Sequence, residues 1–422
     1  MTSLLRLATA GSVDDGKSTL VGRLLFDSKS ILADQFDAVE RVSRDRGLAT
    51  TDLALVTDGL RSEREQGITI DVAYRYFATE KRTFILADCP GHVQYTRNTV
   101  TGSSTADVLV VLVDIRNGIQ EQTRRHLAVA SLLRVPHVFV TVNKIDLLDF
   151  DETAYNSVAR EIHAVADTLG LEDVTTIPVS ALRGDNVVEQ SSATPWYDGP
   201  SLLELLETLP LDRAESRLPL HFPVQLVIRP QSSAAPEFHD YRAYAGRISA
   251  GSARVGDDVV VLPSGHTSTI IGIDLAGEEL TEAHIAQSVS IRLADNIDIS
   301  RGDVIVAAES EPALRDSATA TLAWLADTPL ATGSRVLVKH GTKSVLAIVT
   351  EVIGKLDLDT GDLVPANTLT LNDIGEVTLR FAEPLPLEDY ATSRANGAFL
   401  LIDGQEGTTL AAGMAHAVAA TV

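Results

Sequence analysis

The segment Gly11–Ser18 constrains the fold of this 422-residue chain more than any other. Its sequence, GSVDDGKS, fits the pattern G-x-x-x-x-G-K-[ST] without a mismatch. The apolar run Leu4–Ala10 predicts a strand that enters the segment, and Thr19–Leu25 predicts a helix that leaves it. Backbone N–H groups and the helix dipole make such a helix start an anion site. The segment therefore predicts a phosphate-binding loop in an α/β domain rather than a chance turn on the surface.

The loop pattern also assigns roles to two of its side chains. We expect Lys17 to reach the β- and γ-phosphates of a nucleotide and to act in catalysis. The Ser18 hydroxyl is expected to bind Mg²⁺. Nucleotide contacts are predicted for the loop and the residue after it, namely Gly11, Ser12, Val13, Asp14, Asp15, Gly16, Lys17, Ser18 and Thr19.

Net charge and cysteine content narrow the functional classes. The formal charge is −23 at pH 7, and long-range repulsion therefore opposes broad binding to nucleic acids or anionic membranes. Cys89 is the only cysteine, which rules out an intrachain disulfide and suits a reducing compartment. The first predicted strand starts too early for a secretory leader, and no apolar run is long enough to span a membrane. We therefore expect a cytoplasmic protein.

A second candidate site follows the buried strand predicted at Thr83–Ala87. In phosphate-loop proteins an aspartate at the carboxyl end of a parallel strand supplies the second contact to Mg²⁺, and Asp88 has this position. Gly91 can offer its N–H to a γ-phosphate, and His92 would orient the attacking water unless it is only structural. Cys89 is expected to be a packed small residue rather than a nucleophile. Nucleotide contacts are predicted for Asp88, Cys89, Pro90, Gly91 and His92.

Thr69 is the third predicted metal contact. It precedes an alternating run, Ile70–Phe77, that predicts a strand. A hydroxyl in this position can close on Mg²⁺ when a γ-phosphate is present, and we assign it to catalysis on that basis. Taken alone, a threonine there is only a residue that favours β-structure. The preceding polar stretch, residues 27–62, is either a mobile switch region or a solvated helix.

The tetrad Asn143-Lys144-Ile145-Asp146 indicates which base is bound. It follows the apolar strand predicted at His137–Val142. The Asp146 carboxylate can accept both the N1–H and the N2 amino hydrogens of guanine, a donor pair that adenine lacks. We expect Asn143 to bond the base edge and the Lys144 stem to cover its face. Backbone N–H groups of the later segment Ser180-Ala181-Leu182 are expected to contact the guanine O6. The predicted cofactors are GTP and Mg²⁺.

The distribution of predicted elements divides the chain into three domains. Alternating strands and helices predict a doubly wound, mostly parallel α/β GTPase domain over 1–212. Short strands separated by Gly and Pro turns then predict two small all-β barrels, over 218–312 and 315–422. Neither barrel sequence carries a second phosphate loop, a metal-ligand cluster or a nucleophile triad, and we therefore expect one chemical site, in the first domain.

The order of these domains resembles the translational GTPase superfamily, which includes elongation factor Tu. Within it, the chain is most similar to the large, GTPase subunit of sulfate adenylyltransferase. That resemblance rests on Arg64–Phe77, Gly91–Asn98, Thr101–Asp107 and Gln122–His126. Elongation factors share the second of these segments only in part and lack the paired arginines at 124–125.

The resemblance implies a two-subunit enzyme of sulfate activation. A separate small subunit would transfer the adenylyl group from ATP to sulfate, forming adenylyl sulfate and pyrophosphate. This chain would hydrolyse GTP to drive that step, which is uphill because a phosphate–sulfate anhydride replaces the anhydride of pyrophosphate. The implied assembly is a heterodimer or larger, without nucleic acid or membrane. Departures from the family pattern are Cys89 in place of a threonine and Val93 in place of a frequent glutamate.

Two other functions share the nucleotide motifs. One is an elongation factor-like GTPase that delivers aminoacyl-tRNA to ribosomes, and the other is a regulatory GTPase. Net charge separates the first from sulfate activation only weakly, since elongation factor Tu is itself acidic. The segments Gln94–Asn98 and Gln122–His126 favour sulfate activation.

Overall fold

The computed structural model describes residues 3–29, 33–45, 53, 72–92, 96–211, 214–230 and 241–416. The chain divides into two compact units. One comprises Met1–Leu211 and Asp357–Asp362, and the other comprises Asp212–Leu356 and Leu363–Val422.

The first unit alternates strands and helices, as its hydrophobic pattern predicts. In the described residues, no helix is long and apolar enough to cross a membrane. The elements are β1 Ser3–Gly11, α1 Lys17–Asp27, α2 Ala33–Asp45, β2 Ala73–Ala78, β3 Arg82–Asp88, α3 Thr96–Ser103, β4 Val108–Asp114, α4 Glu121–Leu132, β5 His137–Asn143, α5 Glu152–Thr168, β6 Val174–Pro178 and α6 Leu202–Thr208.

The six described strands of this unit form one sheet in the order β2-β3-β1-β4-β5-β6. Every neighbouring pair is parallel except β2 and β3 at the edge. All seven residues of β4 are buried, as expected of a central strand covered by helices on both faces. The prediction of a doubly wound, mostly parallel sheet is therefore confirmed. The carboxyl ends of β1, β3 and β5 reach the same sheet edge, which brings the predicted motifs together.

The second unit consists almost entirely of strands. Its one described α-helix is α7, Arg394–Gly397. The strands are β7 His221–Ile228, β8 Ala243–Arg247, β9 Ser252–Arg254, β10 Asp258–Leu262, β11 His266–Leu275, β12 Glu278–Leu280, β13 Glu282–His284, β14 Ser288–Leu293, β15 Val304–Ala307, β16 Arg315–Trp324, β17 Leu330–Ala331, β18 Arg335–His340, β19 Lys343–Leu356, β20 Leu363–Pro365, β21 Thr368–Leu369, β22 Ile374–Leu385, β23 Ala398–Ile402 and β24 Thr409–Ala415.

Two of the sheets in this unit close on themselves. The first has the order β10-β15-β7-β8-β14-β11-β12 and is closed by pairing of β10 with β11. The second has the order β18-β23-β24-β16-β22-β19-β20 and is closed by pairing of β18 with β19. Closure removes the exposed edges of an antiparallel sheet and encloses a separate apolar core in each barrel. The prediction of two all-β barrels is confirmed, while the boundaries 218–312 and 315–422 stay predictions.

The β-rich run Thr368–Phe381 predicts one continuous strand, but the structure interrupts it. The chain leaves β21 after Leu369 and enters β22 only at Ile374. Between them the Asp373 carboxylate accepts hydrogen bonds from the Thr370 N–H and hydroxyl, both at 2.8 Å. Asn372 has a left-handed φ of 69°. These local bonds form a turn that competes with the extended conformation.

Candidate nucleotide-binding site

The phosphate loop, Gly11–Ser18, connects β1 to α1 with two residues in the left-handed region. Asp14 has φ 67° and Gly16 has φ 97°. A Cβ atom at Gly16 would lie 2.5 Å from the Asn143 Nδ2 atom, and only glycine therefore fits between the loop and that side chain. Gly16 caps α1, and the free N–H groups of the helix's first turn lie at the loop.

Lys17 is the buried cation of the loop. Its side-chain Nζ donates to the backbone carbonyls of Gly11 at 3.0 Å and Ser12 at 3.4 Å. Burial lowers the pKa of the Lys17 ammonium, while the carboxylates of Asp88 and Asp15 raise it. The loop thus holds a positive charge beneath the place where phosphates are expected to bind.

The other loop residues surround this charge. Asp15 is buried and accepts a hydrogen bond from the Ser12 N–H at 2.7 Å. The buried Ser12 hydroxyl oxygen has no hydrogen-bond partner among the described residues. Val13 and Asp14 are exposed, whereas Ser18 and Thr19 are half-buried in the first turn of α1. An unsatisfied buried hydroxyl beside free N–H groups is consistent with a loop that accepts a ligand.

The aspartate loop, Asp88–His92, lies directly against the phosphate loop. The parallel register of β1 and β3 places Thr9 opposite Asp88, and the Thr9 hydroxyl donates to the Asp88 Oδ1 atom at 3.0 Å. A Cβ atom at Gly91 would lie 2.4 Å from the Lys17 Nζ atom and 2.5 Å from the Gly11 carbonyl oxygen. The two predicted phosphate-contacting motifs therefore meet at Lys17.

The remaining residues of the aspartate loop differ in exposure. Cys89 is fully buried, and burial raises the pKa of its thiol, which leaves it unsuited as a nucleophile. Pro90 is buried beside it, while His92 is exposed. Thr69, the other predicted catalytic and metal-binding residue, lies outside the described residues.

The guanine loop, Asn143–Asp146, is tied to the phosphate loop by Asn143. The Asn143 Nδ2 atom donates to the Asp15 carbonyl at 2.7 Å. Its Oδ1 atom accepts from the Ala181 N–H at 3.0 Å. Both ends of its buried amide thus join loops, and each keeps a second hydrogen or lone pair, so that the expected bond to the base edge stays a prediction. The structure therefore makes Asn143 a brace between three segments.

Lys144 makes a second link between the guanine loop and the phosphate loop. Its backbone is left-handed, with φ 63°, and its Nζ atom donates to the Asp14 carbonyl. The same Nζ atom lies 2.9 Å from the Asp114 Oδ2 atom. With its ammonium fixed at this point, the Lys144 stem spans the gap between the two loops.

Asp114 anchors Lys144 and was missed in the sequence predictions. Burial alone would raise the pKa of the Asp114 carboxyl, but hydrogen bonds from Arg116 and Lys144 hold it well below its usual range. Asp114 ends the apolar strand β4 in the same way that Asp88 ends β3. That shared position was the signal in the sequence that pointed to a role for Asp114.

Asp146 follows Lys144 in a short 3₁₀ turn, Ile145–Leu148. Its side chain is 8% exposed, and its Oδ2 atom lies 3.8 Å from the Arg183 Nε atom. The nearly buried carboxylate is thus paired, at a long distance, with a mostly exposed arginine.

The alanine loop, Ser180–Leu182, completes the site after β6. Two of its three N–H groups are already used, since Ser180 donates to the Asp185 carbonyl at 3.1 Å and Ala181 donates to Asn143. Leu182 has no such acceptor among the described residues. Arg23 of α1 donates to the Ala181 carbonyl at 3.2 Å and to the Leu182 carbonyl. No feature of the sequence could have predicted this contact of Arg23.

Comparison with known proteins places the site in a family. The elongation factor Tu GTP-binding domain model matches residues 2–211, and the GTP-eEF1A C-terminal domain-like model matches residues 317–416. The bifunctional enzyme CysN/CysC of Mycobacterium tuberculosis is 52% identical, over 98% of this chain and 67% of that protein. Sulfate adenylyltransferase subunit 1 of Laribacter hongkongensis is 48% identical, over 97% of this chain and 85% of that protein.

This chain belongs to the sulfate adenylyltransferase subunit 1 family. The member from Methylorubrum populi is 46% identical over 99% of this chain and 88% of that protein. The resemblance drawn from the sequence motifs is thereby confirmed, and the first domain is a GTP-binding domain. Among solved structures, Sup35 complexed with GDP and with GMPPNP cover 99% of the chain, with TM-scores of 0.45 and 0.44 at 23% and 24% identity.

Proposed function

We propose that this chain is the GTPase subunit of a sulfate adenylyltransferase. GTP hydrolysis in this subunit drives a partner subunit to form adenylyl sulfate and pyrophosphate from ATP and sulfate. Family members that align over nearly the whole chain bear the name sulfate adenylyltransferase subunit 1, which supports the reaction and the existence of a partner.

The observation that carries the nucleotide assignment is the direct link between the guanine and phosphate loops. Asn143 and Lys144 bond the carbonyls of Asp15 and Asp14, which sets the distance between the base and the phosphates. The Asp146 carboxylate accepts the N1–H and N2 amino hydrogens of guanine. The Ser180 and Ala181 N–H groups already have acceptors, and the Leu182 N–H is therefore the group that donates to the guanine O6.

At the phosphate end, Lys17 supplies the principal positive charge. Its ammonium leaves the carbonyls of Gly11 and Ser12 and binds the β- and γ-phosphates, where it offsets the charge that develops as the terminal bond breaks. Gly91, which admits no side chain beside Lys17, offers its N–H to the γ-phosphate.

The residues that would hold Mg²⁺ are Ser18, Asp88 and Thr69. Hydroxyl and carboxylate oxygens are the ligands this ion prefers, and the buried Asp88 carboxylate is oriented by the Thr9 hydroxyl. When bound, Mg²⁺ would offset part of the negative charge of the phosphates. The donor set therefore fits the ion.

His92 is the residue proposed to orient the attacking water. It follows Gly91 directly and its side chain is exposed, so that it can turn toward the γ-phosphate. Loss of the γ-phosphate would release Thr69 and the aspartate loop, and this release is the event proposed to be transmitted to the partner.

The partner is a small subunit that carries the adenylyl-transfer site, in a heterodimer or larger assembly in the cytoplasm. Neither nucleic acid nor a membrane is part of the proposed complex. The elongation factor-like role has only the broader fold in its favour.

The test is pyrophosphate release from ATP and sulfate by this chain mixed with a purified candidate small subunit. GTP should stimulate the release, and the Lys17→Ala variant should abolish the stimulation. Lys81→Ala is the matched control, because Lys81 is 63% exposed and pairs only with Glu207 among the described residues. Absence of stimulation, together with GTP-dependent protection of aminoacyl-tRNA, would replace the proposal with the delivery role.

A further inference from the structure

The closed barrel of Arg315–Ala415 carries a row of aliphatic side chains on its outer face. Leu337 of β18 is paired with Leu346 of β19 on one side and with Ile402 of β23 on the other. Paired residues of neighbouring strands point to the same face. Ile348 lies two residues after Leu346 on β19, and Leu400 lies two residues before Ile402 on β23. Both therefore point to the same face as Leu337. We call these five residues, Leu337, Leu346, Ile348, Leu400 and Ile402, the aliphatic row.

The aliphatic row is open to solvent, in contrast to the positions that alternate with it. The Leu346 side chain is 62% exposed and Leu400 is 38% exposed, while the other members are half-buried. Their neighbours Val336, Val345 and Phe399 point inward and form the barrel core. Outward positions of an antiparallel sheet are normally polar, and adjacent exposed aliphatic residues on neighbouring strands mark an interaction surface.

Cations flank the aliphatic row. Arg335 and Lys339 lie on the outer face of β18, on either side of Leu337. Arg380 of β22 is paired with Ile348 in register. All three cations are exposed, and none has an ion-pair partner among the described residues. In a chain with a formal charge of −23, unpaired cations around an apolar centre favour an acidic partner.

We propose that the aliphatic row is the docking site for the adenylyl-transferring partner subunit, through an apolar patch rimmed by carboxylates. This inference rests on the proposed function for the existence of that partner. The flanking charges disfavour a second copy of this chain. A two-fold contact would place the row against itself, with Arg335, Lys339 and Arg380 facing the same cations.

The test is the dissociation constant of the complex with the purified partner subunit, measured by titration calorimetry. Leu346→Glu should raise this constant by about 10- to 100-fold, because it places a carboxylate at the centre of the apolar contact. Ile271→Glu is the matched control, since Ile271 is an aliphatic residue of the other barrel with 51% exposure. It should leave the constant unchanged. Both variants should keep the circular dichroism spectrum and the unfolding temperature of the wild type, which verifies that their barrels fold.

The contribution of the flanking cations to binding of the partner is tested separately. Lys339→Glu should weaken the complex and reduce the dependence of its association rate on salt. Lys339→Arg keeps the charge and should leave the affinity and the salt dependence at their wild-type values. Equal affinity of wild type and Leu346→Glu for the partner would overturn the docking site. A dimer of this chain alone that dissociates on Leu346→Glu would also overturn it, because the occupant would then be a second copy.

GTP-stimulated pyrophosphate release separates this inference from the proposed function. If the docking site is correct, the Leu346→Glu variant reaches wild-type stimulation when the partner is saturating. The partner concentration that gives half of this stimulation is at least tenfold higher than for wild type. A partner that binds through the aliphatic row without GTP-stimulated release would refute the proposed function alone. A partner that binds no form of this chain would overturn both.

Discussion

The brace formed by Asn143 leads to a prediction that separates two roles of this residue. Asn143→Ala removes the donor to the Asp15 carbonyl at 2.7 Å and the acceptor of the Ala181 N–H at 3.0 Å. Both partners lie in loops that form the nucleotide site. Asn143 itself is 2% exposed, and water therefore has little access to replace the lost bonds.

The magnitude follows from the cost of leaving these groups unpaired. A buried donor or acceptor without a partner costs about 1–3 kcal/mol. Partial relaxation of the loops makes about 2–4 kcal/mol a reasonable total for the two groups. At about 1.4 kcal/mol for each tenfold change, the dissociation constant for GTP should rise by about 30- to 700-fold.

The assay compares GTP with 7-deaza-GTP, which lacks the N7 acceptor on the base edge, by competition against a fluorescent nucleotide. A residue that only braces the loops lowers affinity for both nucleotides by the same factor. If Asn143 instead bonds N7, the Asn143→Ala variant has lost that bond and binds GTP and 7-deaza-GTP with equal affinity. Asn156→Ala, at an exposed position of α5, is the control and should bind both nucleotides like wild type.

Two results would refute the reasoning. Wild-type GTP affinity in Asn143→Ala would show that the two hydrogen bonds do not hold the loops together. A loss confined to GTP, with 7-deaza-GTP unaffected, would return Asn143 to the base edge, as its sequence motif suggested.

Three further predictions concern the nucleotide and the second unit. Asp146→Asn should shift preference from guanine to xanthine nucleotides in a competition assay, because the hydrogens that face the side chain change; an unchanged preference for GTP would remove Asp146 from the base. Lys17→Ala should abolish tight GTP binding without lowering the unfolding temperature, since the lysine's main partners are carbonyls of its own loop; retained affinity in a filter-binding assay would place the phosphates elsewhere. Burial, together with the smaller effect of the neighbouring His340, lowers the pKa of His221 from 6.5 to about 3. The unfolded chain therefore binds more protons between these values, and stability is full above pH 6.5 and falls as the pH drops. The loss at pH 5 is about 2 kcal/mol, which calorimetry of wild type and His221→Gln should detect, with the pH dependence reduced in the variant.

Much of the fold and the site was predictable because its causes are local. The glycines and the lysine of Gly11–Ser18 specify a turn at a helix start, whatever surrounds it. The unbroken apolar run Val108–Asp114 could only be a strand covered on both faces. Where prediction failed locally, at the break between β21 and β22, an Asn-Asp turn competed within a run of otherwise β-favouring residues.

Only the tertiary structure decided how the motifs act on one another. The residues that Asn143 joins, Asp15 and Ala181, lie 128 and 38 positions away along the chain. Arg23 reaches the Ala181 carbonyl across 158 positions. The sequence by itself determined which residue types stand at the carboxyl ends of the strands, since hydrophobic pattern and turn chemistry are properties of neighbouring residues. Which of those side chains remain available to the nucleotide depends on strand order and loop packing, which bring distant donors and acceptors within hydrogen-bond distance.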